Sequence, residues 1–334
     1  MIELHDDGLT FSFPEVHADA CLSITFKRTL RIPDDGKEHH LPPGLGNFPL
    51  RHVDDHAERV SNGWMEHGGV MLPMYQSEAL WICFDADDYP FAVRVATGKI
   101  DAVTGKRWNG ALTRKPQNYL SIPEQPWLDG YAVEKGVIRQ FVAMPLGAGY
   151  TAEEQVTGKA EHGGLQLLVH PMKAAAYERL RKQRDRVTLR SGMGRCLPCA
   201  PPSAAMGLAP GGKMRQSIEE DPFKFADWDL EHSSRCFVHI ANSLVWQSIT
   251  GAPPPNPPPT AKHYTDAGLP WFDIYSDPAT ALPGSKVLKG LKSVVQLGKK
   301  KGAAPLPENE SVSKEIVVRL RKNLAEDQVR ECPV

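Results

Sequence analysis

The chain has 334 residues, of which 41% are hydrophobic and 24% are charged, and its formal net charge at pH 7 is -1. This composition excludes a disordered chain and is typical of a soluble globular protein, while the small net charge gives no general attraction to nucleic acid or to an anionic membrane. No apolar run approaches the roughly 20 residues of a membrane span, and no basic segment precedes an apolar one at the amino terminus. We therefore expect a cytoplasmic protein that binds neither nucleic acid nor membranes.

Alternating apolar and polar residues predict antiparallel strands in the first half of the chain. Strands are expected at 9–13, 21–32, 70–74, 79–84, 91–96, 137–144 and 165–169. The segment 137–144 is largely apolar on both faces, as in a strand that is covered on both sides. We expect it to form a core hairpin with 165–169.

A proline-rich and glycine-rich loop follows the first strands and contains four histidines and four aspartates. These residues are His39, His40, His52, His56, Asp34, Asp35, Asp54 and Asp55. Such side chains could bind a metal ion, but their spacing matches no compact motif. Because long loops are polar in any case, the pattern favours a solvated surface.

The sequence Glu-His-Gly-Gly occurs twice, at 66–69 and at 161–164, and each copy precedes an apolar run that ends in Pro-Met. The repeat predicts two related hairpins, although Gly-Gly also provides the backbone freedom that any tight turn requires. If the turns converge, their side chains could act as metal ligands or as an acid and base pair. The candidate catalytic residues are Glu66, His67, Glu161 and His162.

Two pairs of metal-binding side chains lie further along the chain, each with two residues between its members. They are Cys196 with Cys199, and Cys236 with His239. Six cysteines in this length are too few for a disulfide framework. The four side chains could instead form a tetrahedral zinc site. Alternatives are a redox pair at Cys196 and Cys199, or no site at all, because the run around Cys236 is typical of a buried helix over 233–250.

A third candidate is the glycine-rich stretch 207–216, which is predicted to be a loop ahead of a short helix at 216–220. Backbone amides of such a loop can bind an anion, but Gly212 and Lys213 are followed by Met rather than Ser or Thr, so it is not a phosphate-binding P-loop. A purely structural loop is the alternative. The candidate anion-binding residues are Gly211, Gly212, Lys213 and Arg215.

The rest of the second half is expected to be helical or irregular. The segment 173–187 has the alanines and the basic end of a helix. The polyproline run 252–259 is stiff and extended, and the aromatic residues Trp271, Phe272 and Tyr275 follow it closely. We expect a proline strap that delivers this aromatic anchor to the surface of the body, and a second amphipathic helix at 286–297.

Together these patterns predict an α+β fold in which an antiparallel, sandwich-like or barrel-like β-rich domain (1–172) precedes a helical and irregular wrapping region (173–298) and a flexible carboxy-terminal segment (299–334). No complete catalytic or cofactor motif is present. We therefore expect a binding or accessory protein for a small molecule or another protein. The alternatives are a metal-assisted hydrolase that uses the two Glu-His-Gly-Gly turns and a zinc-stabilised scaffold.

Overall fold

The computed structural model describes residues 1–184, 202–274, 280–304, 306–312 and 315–320. It is mostly antiparallel sheet, with 38% strand and 18% helix. The prediction of a β-rich α+β protein is confirmed. None of the helices in the described ranges has both the length and the apolar character to span a bilayer.

Nineteen strands are found in the described residues. The first ten are β1 (Ile2–His5), β2 (Gly8–Ser12), β3 (Cys21–Thr29), β4 (Glu38–His39), β5 (Gly44–Asn47), β6 (Arg51–His52), β7 (Val70–Met74), β8 (Ala79–Asp85), β9 (Phe91–Thr97) and β10 (Ile100–Asp101). The others are β11 (Leu120–Ile122), β12 (Trp127–Leu128), β13 (Gly130–Glu134), β14 (Val137–Pro145), β15 (Leu165–Pro171), β16 (Pro202–Arg215), β17 (Ser234–Ser243), β18 (Pro270–Ile274) and β19 (Ile316–Leu320).

The α-helices of the described residues are short. They are α1 (Asn62–His67), α2 (Ala152–Thr157), α3 (Ala174–Arg184), α4 (Trp246–Thr250), α5 (Ala261–Asp266), α6 (Lys286–Gly290) and α7 (Val294–Lys300). Helix α3 confirms the helix predicted from its alanines. The single helix predicted at 286–297 is instead two helices, because the chain leaves the helical conformation at Leu291 and a serine cap restarts it at Ser293.

Strands β1 to β17 belong to one connected sheet, and β18 and β19 form a separate parallel pair. The backbone of the large sheet is an antiparallel series in which β3 pairs with β8, β8 with β14, β14 with β16, β16 with β17, β17 with β15, and β15 with β9. All seven residues of β9 and all seven of β15 are buried. These strands therefore lie at the centre of the molecule. Whether the sheet is arranged as a sandwich or as a barrel stays a prediction.

The predicted hairpin between 137–144 and 165–169 is wrong, although both strands exist. Strand β14 pairs with β8, β13 and β16, whereas β15 pairs with β9 and β17. A pattern of buried residues identifies a strand but does not identify its partners. Strand β14 pairs with the distant β8 and β16 as well as with the adjacent β13, and β15 pairs with the distant β9 and β17. Since β16 and β17 are central strands, the sheet continues beyond residue 172.

Two secondary-structure predictions in the second half are also wrong. The segment 233–250 is strand β17 followed by the single turn of α4, because a short apolar run satisfies a buried strand as well as a buried helix. The glycine-rich stretch is strand β16 rather than a loop. A Cβ atom on Gly212 would lie 2.6 Å from the carbonyl oxygen of Pro33, so glycine here permits close packing rather than a turn.

The polyproline segment lies against the body. The Arg28 guanidinium donates to the Asn256 carbonyl at 2.7 Å, and the Tyr75 hydroxyl donates to the Pro255 carbonyl at 3.1 Å. Beyond it, the side chain of Trp271 is fully buried and its indole N–H donates to the Thr265 hydroxyl at 3.0 Å. Tyr275, the third residue of the predicted anchor, lies outside the described residues.

Candidate functional site

Strand β17 provides the floor of the candidate site. Side chains alternate between the two faces of a strand, so Arg235, Phe237 and His239 share one face and Cys236 points to the other. The neighbouring strand β15 is in register, with Gln166 opposite Phe237. One face of the sheet thus carries a cation, an aromatic ring, an imidazole and an amide within a few residues.

Both Glu-His-Gly-Gly turns converge on this strand. Val70 and Leu165, the first residues of β7 and β15, both pair with Val238, and from there β7 runs parallel to β17 and β15 antiparallel to it. The last glycine of each turn lies directly against the backbone of β17. A Cβ atom on Gly69 would collide with the Phe237 carbonyl oxygen, and one on Gly164 would lie 2.5 Å from the Val238 carbonyl oxygen. The two turns are therefore related in position but opposite in direction.

The convergence brings three histidines together. The ring centroids of His67 and His162 are 5.4 Å apart, and those of His67 and His239 are 6.3 Å apart. The ring of His239 stacks on Trp64 at 4.8 Å, and that of His67 packs against Phe237 at 4.4 Å. The two turns thus bring His67 and His162 close together, and His239 joins them.

Backbone carbonyls orient two of these rings. His67 Nδ1 lies 2.5 Å from the Gly63 carbonyl oxygen, one helical turn earlier in α1, and His239 Nε2 lies 3.0 Å from the Gly68 carbonyl oxygen. A carbonyl can only accept, so the proton of each neutral ring is on the nitrogen that faces it. This leaves a lone pair on His67 Nε2. Burial lowers the pKa of His239 to about 4, so this ring is neutral at pH 7.

The carboxylate near His162 is Glu153, in the first turn of α2. Glu153 accepts hydrogen bonds from the backbone amides of His162 (3.2 Å) and Gly163 (2.9 Å), and His162 Nδ1 is 3.5 Å from its other oxygen. Burial raises the pKa of Glu153. Burial also lowers the pKa of His162, with Lys99 and His67 acting in the same direction.

The two acids predicted for this site, Glu66 and Glu161, lie on the surface. Glu161 pairs with Lys159 at 2.9 Å.

A cleft of about 390 Å³ opens beside His67, and we refer to it as the histidine cleft. It is lined by Glu66, His67, Lys99, Trp108, Gln166, Arg235 and Phe237. Two of these side chains are permanent cations and one is a carboxylate, so the lining is positive at neutral pH. Lys99 and Arg235 are exposed and accessible to a ligand from solution.

Local structure holds the walls of the histidine cleft in place. Lys99 lies in the turn between β9 and β10, and the Trp108 amide donates to its carbonyl at 2.9 Å. The Arg94 guanidinium lies 4.2 Å from the Trp108 ring centroid and is itself fixed by Asp101 at 2.9 Å. A Cβ atom on Gly98, the other residue of the turn, would lie 2.5 Å from the Glu153 carboxylate. The turn therefore packs closely on α2.

Two buried polar atoms of the histidine cleft lack partners. The side chain of Gln166 is 1% exposed, and its amide donates to the Gly98 carbonyl at 2.6 Å, but its Oε1 accepts no hydrogen bond from any described residue. Likewise, Trp108 Nε1 has no acceptor among the residues that the structure describes. A buried polar atom without a partner is costly, so each is expected to bind water or a ligand.

The structure does not assemble the predicted zinc site from the residues it describes. Cys236 and His239 point to opposite faces of β17, because residues three apart in a strand cannot share a face as they would in a helix. Cys196 and Cys199 lie outside the described residues. Among the residues that the structure covers, no group of three or more His, Cys, Asp or Glu side chains could hold a metal ion, including those of the two turns.

The predicted anion-binding residues lie in strand β16, and both of their cations have carboxylate neighbours. Lys213 pairs with Glu134 at 3.0 Å, and Arg215 lies 3.8 Å from Glu38. Arg215 lines a second cleft, of about 340 Å³, which also contains Trp127 and Phe272. With its glycines inside a strand, this stretch lacks the loop amides on which the prediction depended.

One histidine of the loop that was predicted to be a solvated surface, His39, is buried. His39 is 4% exposed, and its two ring nitrogens lie 2.6 Å from Glu315 and 3.0 Å from Asp35. His40 Nδ1 is 2.6 Å from the other Glu315 oxygen. We refer to these four residues as the carboxylate clasp. The carboxylate clasp connects residues 35–40 to Glu315, the residue that precedes β19. No local sequence pattern can indicate a contact between positions so far apart in the chain.

Comparison with protein-family models, with curated proteins and with solved structures gives no match for this chain. The candidate sites therefore depend on geometry alone.

Proposed function

We propose that the protein is a binding protein that holds a small anionic molecule in the histidine cleft. The observation that carries this proposal is the composition of one cavity: Lys99 and Arg235 stand on its wall beside His67, and the buried Gln166 Oε1 and Trp108 Nε1 are without partners in the described residues. A carboxylate or a phosphate is the ligand group that such cations recognise.

The remaining lining defines the rest of the ligand. Phe237 and Trp108 offer aromatic surface, which favours an apolar or planar body attached to the anionic group. Trp108 Nε1 can only donate and Gln166 Oε1 can only accept, so a ligand with both an oxygen and a hydroxyl or amide would satisfy both atoms. Glu66, at the rim, disfavours a second anionic group on its side.

Isothermal titration calorimetry with inorganic phosphate and with succinate tests this proposal. We expect saturable binding of at least one of these probes, and we expect Arg235→Gln and Lys99→Gln each to weaken it about fivefold to tenfold. Lys262→Gln is the matched control, because Lys262 is on α5 and pairs with Asp266. The proposal is wrong if neither anion binds, or if Arg235→Gln binds as tightly as the parent.

The alternative functions have unequal support. A hydrolase at the two turns is favoured by the lone pair on His67 Nε2, but the described residues offer no metal ligand set, so the metal-assisted form has less support than a metal-free one. A zinc-stabilised scaffold through Cys196, Cys199, Cys236 and His239 would require Cys236 and His239 to converge, and they do not. Elemental analysis of the purified protein tests both metal hypotheses.

We also infer that residues 252–259 act as the predicted strap. The hydrogen bonds from Arg28 and Tyr75 to this segment, and the burial of Trp271 beyond it, support that role.

A further inference from the structure

We propose that the histidine cleft also hydrolyses a carboxylic ester of its anionic ligand, with His67 as the general base. This inference depends on the proposed binding of an anion in the same cleft. It adds a reaction, a substrate class and three residue roles: the base His67, the oxyanion donor Trp108 and the water-orienting Gln166.

The orientation of His67 is that of a base. A general base needs an unprotonated nitrogen and a partner that fixes the ring from the other side. The Gly63 carbonyl, 2.5 Å from Nδ1, fixes the proton on that nitrogen and leaves the lone pair on Nε2. The imidazole is also half-buried and packs on Phe237, with a ring-centroid distance of 4.4 Å, so its orientation is restricted further.

The two atoms without partners match the needs of ester hydrolysis. The attacking water has one hydrogen for the base and one that needs an acceptor, which the buried Gln166 Oε1 can provide. The developing oxyanion needs a donor that is already in place, and Trp108 Nε1 is such a donor. Arg94, 4.2 Å from the Trp108 ring centroid, holds the indole from behind.

The cations select the substrate. Lys99 and Arg235 would hold a carboxylate at the far end of the substrate, so that binding energy from the anionic group positions the ester carbonyl. A neutral ester lacks this contact. We therefore expect a preference for acidic esters, which a merely adventitious imidazole would not show.

The reaction is balanced without a metal or a cofactor. His67 Nε2 takes a proton from water as the water oxygen bonds to the ester carbonyl carbon, and the carbonyl oxygen becomes an oxyanion. When the intermediate collapses, the bond between carbon and the alcohol oxygen breaks. The His67 imidazolium returns its proton to the leaving alcohol, so the products are a carboxylic acid and an alcohol and His67 is neutral again.

The test uses the full chain with mono-4-nitrophenyl succinate, an acidic ester, and 4-nitrophenyl acetate, a neutral one. We expect faster hydrolysis of the acidic ester and a fall in kcat of about 100-fold in His67→Asn. Asn is chosen because its amide nitrogen can replace the Nδ1 donor to Gly63 while it removes Nε2. His263→Asn is the matched control, since His263 is exposed on α5.

Two further variants separate the roles. Trp108→Phe should lower kcat about tenfold or more with little change in KM, because it removes a donor needed only in the transition state. Arg235→Gln should raise KM for the acidic ester and so reduce the preference for the acidic over the neutral ester. The acidic limb of the pH–rate profile should be present in the parent and absent in the residual activity of His67→Asn.

Calorimetry with succinate distinguishes the possible failures. If succinate binds but the acidic ester is hydrolysed no faster than in buffer, the catalytic inference is wrong and the binding proposal stands. The same holds if both His67→Asn and Trp108→Phe retain the parent kcat. If neither succinate nor phosphate binds and no ester is hydrolysed, both proposals are wrong.

Discussion

The histidine cleft and the carboxylate clasp place the same side chain in opposite electrostatic surroundings. Next to the cleft, in the two histidines that approach His67, burial lowers the pKa of His239 to about 4, and burial, Lys99 and His67 lower that of His162. In the clasp, burial opposes the charge, but the hydrogen bonds to Glu315 and Asp35 prevail and raise the pKa of His39. Burial alone therefore does not determine whether a histidine is charged. Its hydrogen-bond partners also shift its pKa, and at His39 they outweigh burial.

This difference separates a chemical role from a structural one. A neutral imidazole that donates to a carbonyl keeps a lone pair for a ligand or a proton, as in the cleft. An imidazolium between two carboxylates has used both nitrogens, as His39 has, and can only hold segments together. The clasp is accordingly a stability element, and the cleft is the place to look for activity.

The largest effect is expected from breaking the clasp. Glu315→Ala leaves His39 and His40 without their shared acceptor, and removal of one partner from a buried ion pair costs about 3 kcal/mol or more. Urea denaturation at pH 6 measures the change in the free energy of unfolding. Glu310→Ala, an exposed neighbour, is the control and should change it by less than about 0.5 kcal/mol.

The same experiment at higher pH checks the sign. The raised pKa of His39 means that its contribution is complete below the unfolded-state value of about 6.5 and is lost as pH rises through the folded-state value. The charged groups that face His39 or its partners are Asp35, Glu315, His40 and Lys37. The cost of Glu315→Ala should therefore shrink at alkaline pH, and a cost that is constant with pH would contradict a charged His39.

A smaller effect of opposite sign is expected at acidic pH from His239, which lies next to His67. Because the pKa of His239 is lowered, its contribution to stability is present above pH 6.5 and is lost as pH falls toward about 4, by up to ~3 kcal/mol. His239→Asn should remove much of this acid sensitivity. Denaturation curves of parent and variant between pH 4 and 7 measure it, and parallel curves would show that His239 is not held neutral by the fold.

The sequence predicted where strands lie in the chain, but it did not predict which strands pair with each other. Alternation located β7, β8, β9, β14 and β15, because a strand buried on one or both faces leaves a pattern of period two or a continuous apolar run. Most of their partners could not be predicted, since β15 pairs with the distant β9 and β17, and β14 pairs with the distant β8 and β16 as well as with the adjacent β13. The glycine-rich β16 was missed because glycines that allow close packing look like glycines that allow a turn.

The candidate site was predictable only where a motif repeated. The duplicated Glu-His-Gly-Gly placed His67 and His162 in one site, and the two final glycines explain why, since each lies against β17. Lys99 and Gln166 carry no signal in the sequence, because a lysine in a turn or a glutamine in a strand is ordinary. Glu153 was likewise hidden, since an acidic residue in the first turn of a helix is expected on other grounds.

The smallest effect is expected from His162, the more exposed of the two histidines near His67 that have a lowered pKa. Its side chain is 16% exposed, and it feels Lys99 and His67 as well as burial. As for His239, a lowered pKa means stability that is lost as pH falls below about 6.5. His162→Gln should therefore weaken the acid sensitivity of the parent by less than about 1 kcal/mol. NMR titration of the imidazole protons gives the direct measurement. The same acid sensitivity in the parent and in the variant would show that the fold does not hold His162 neutral.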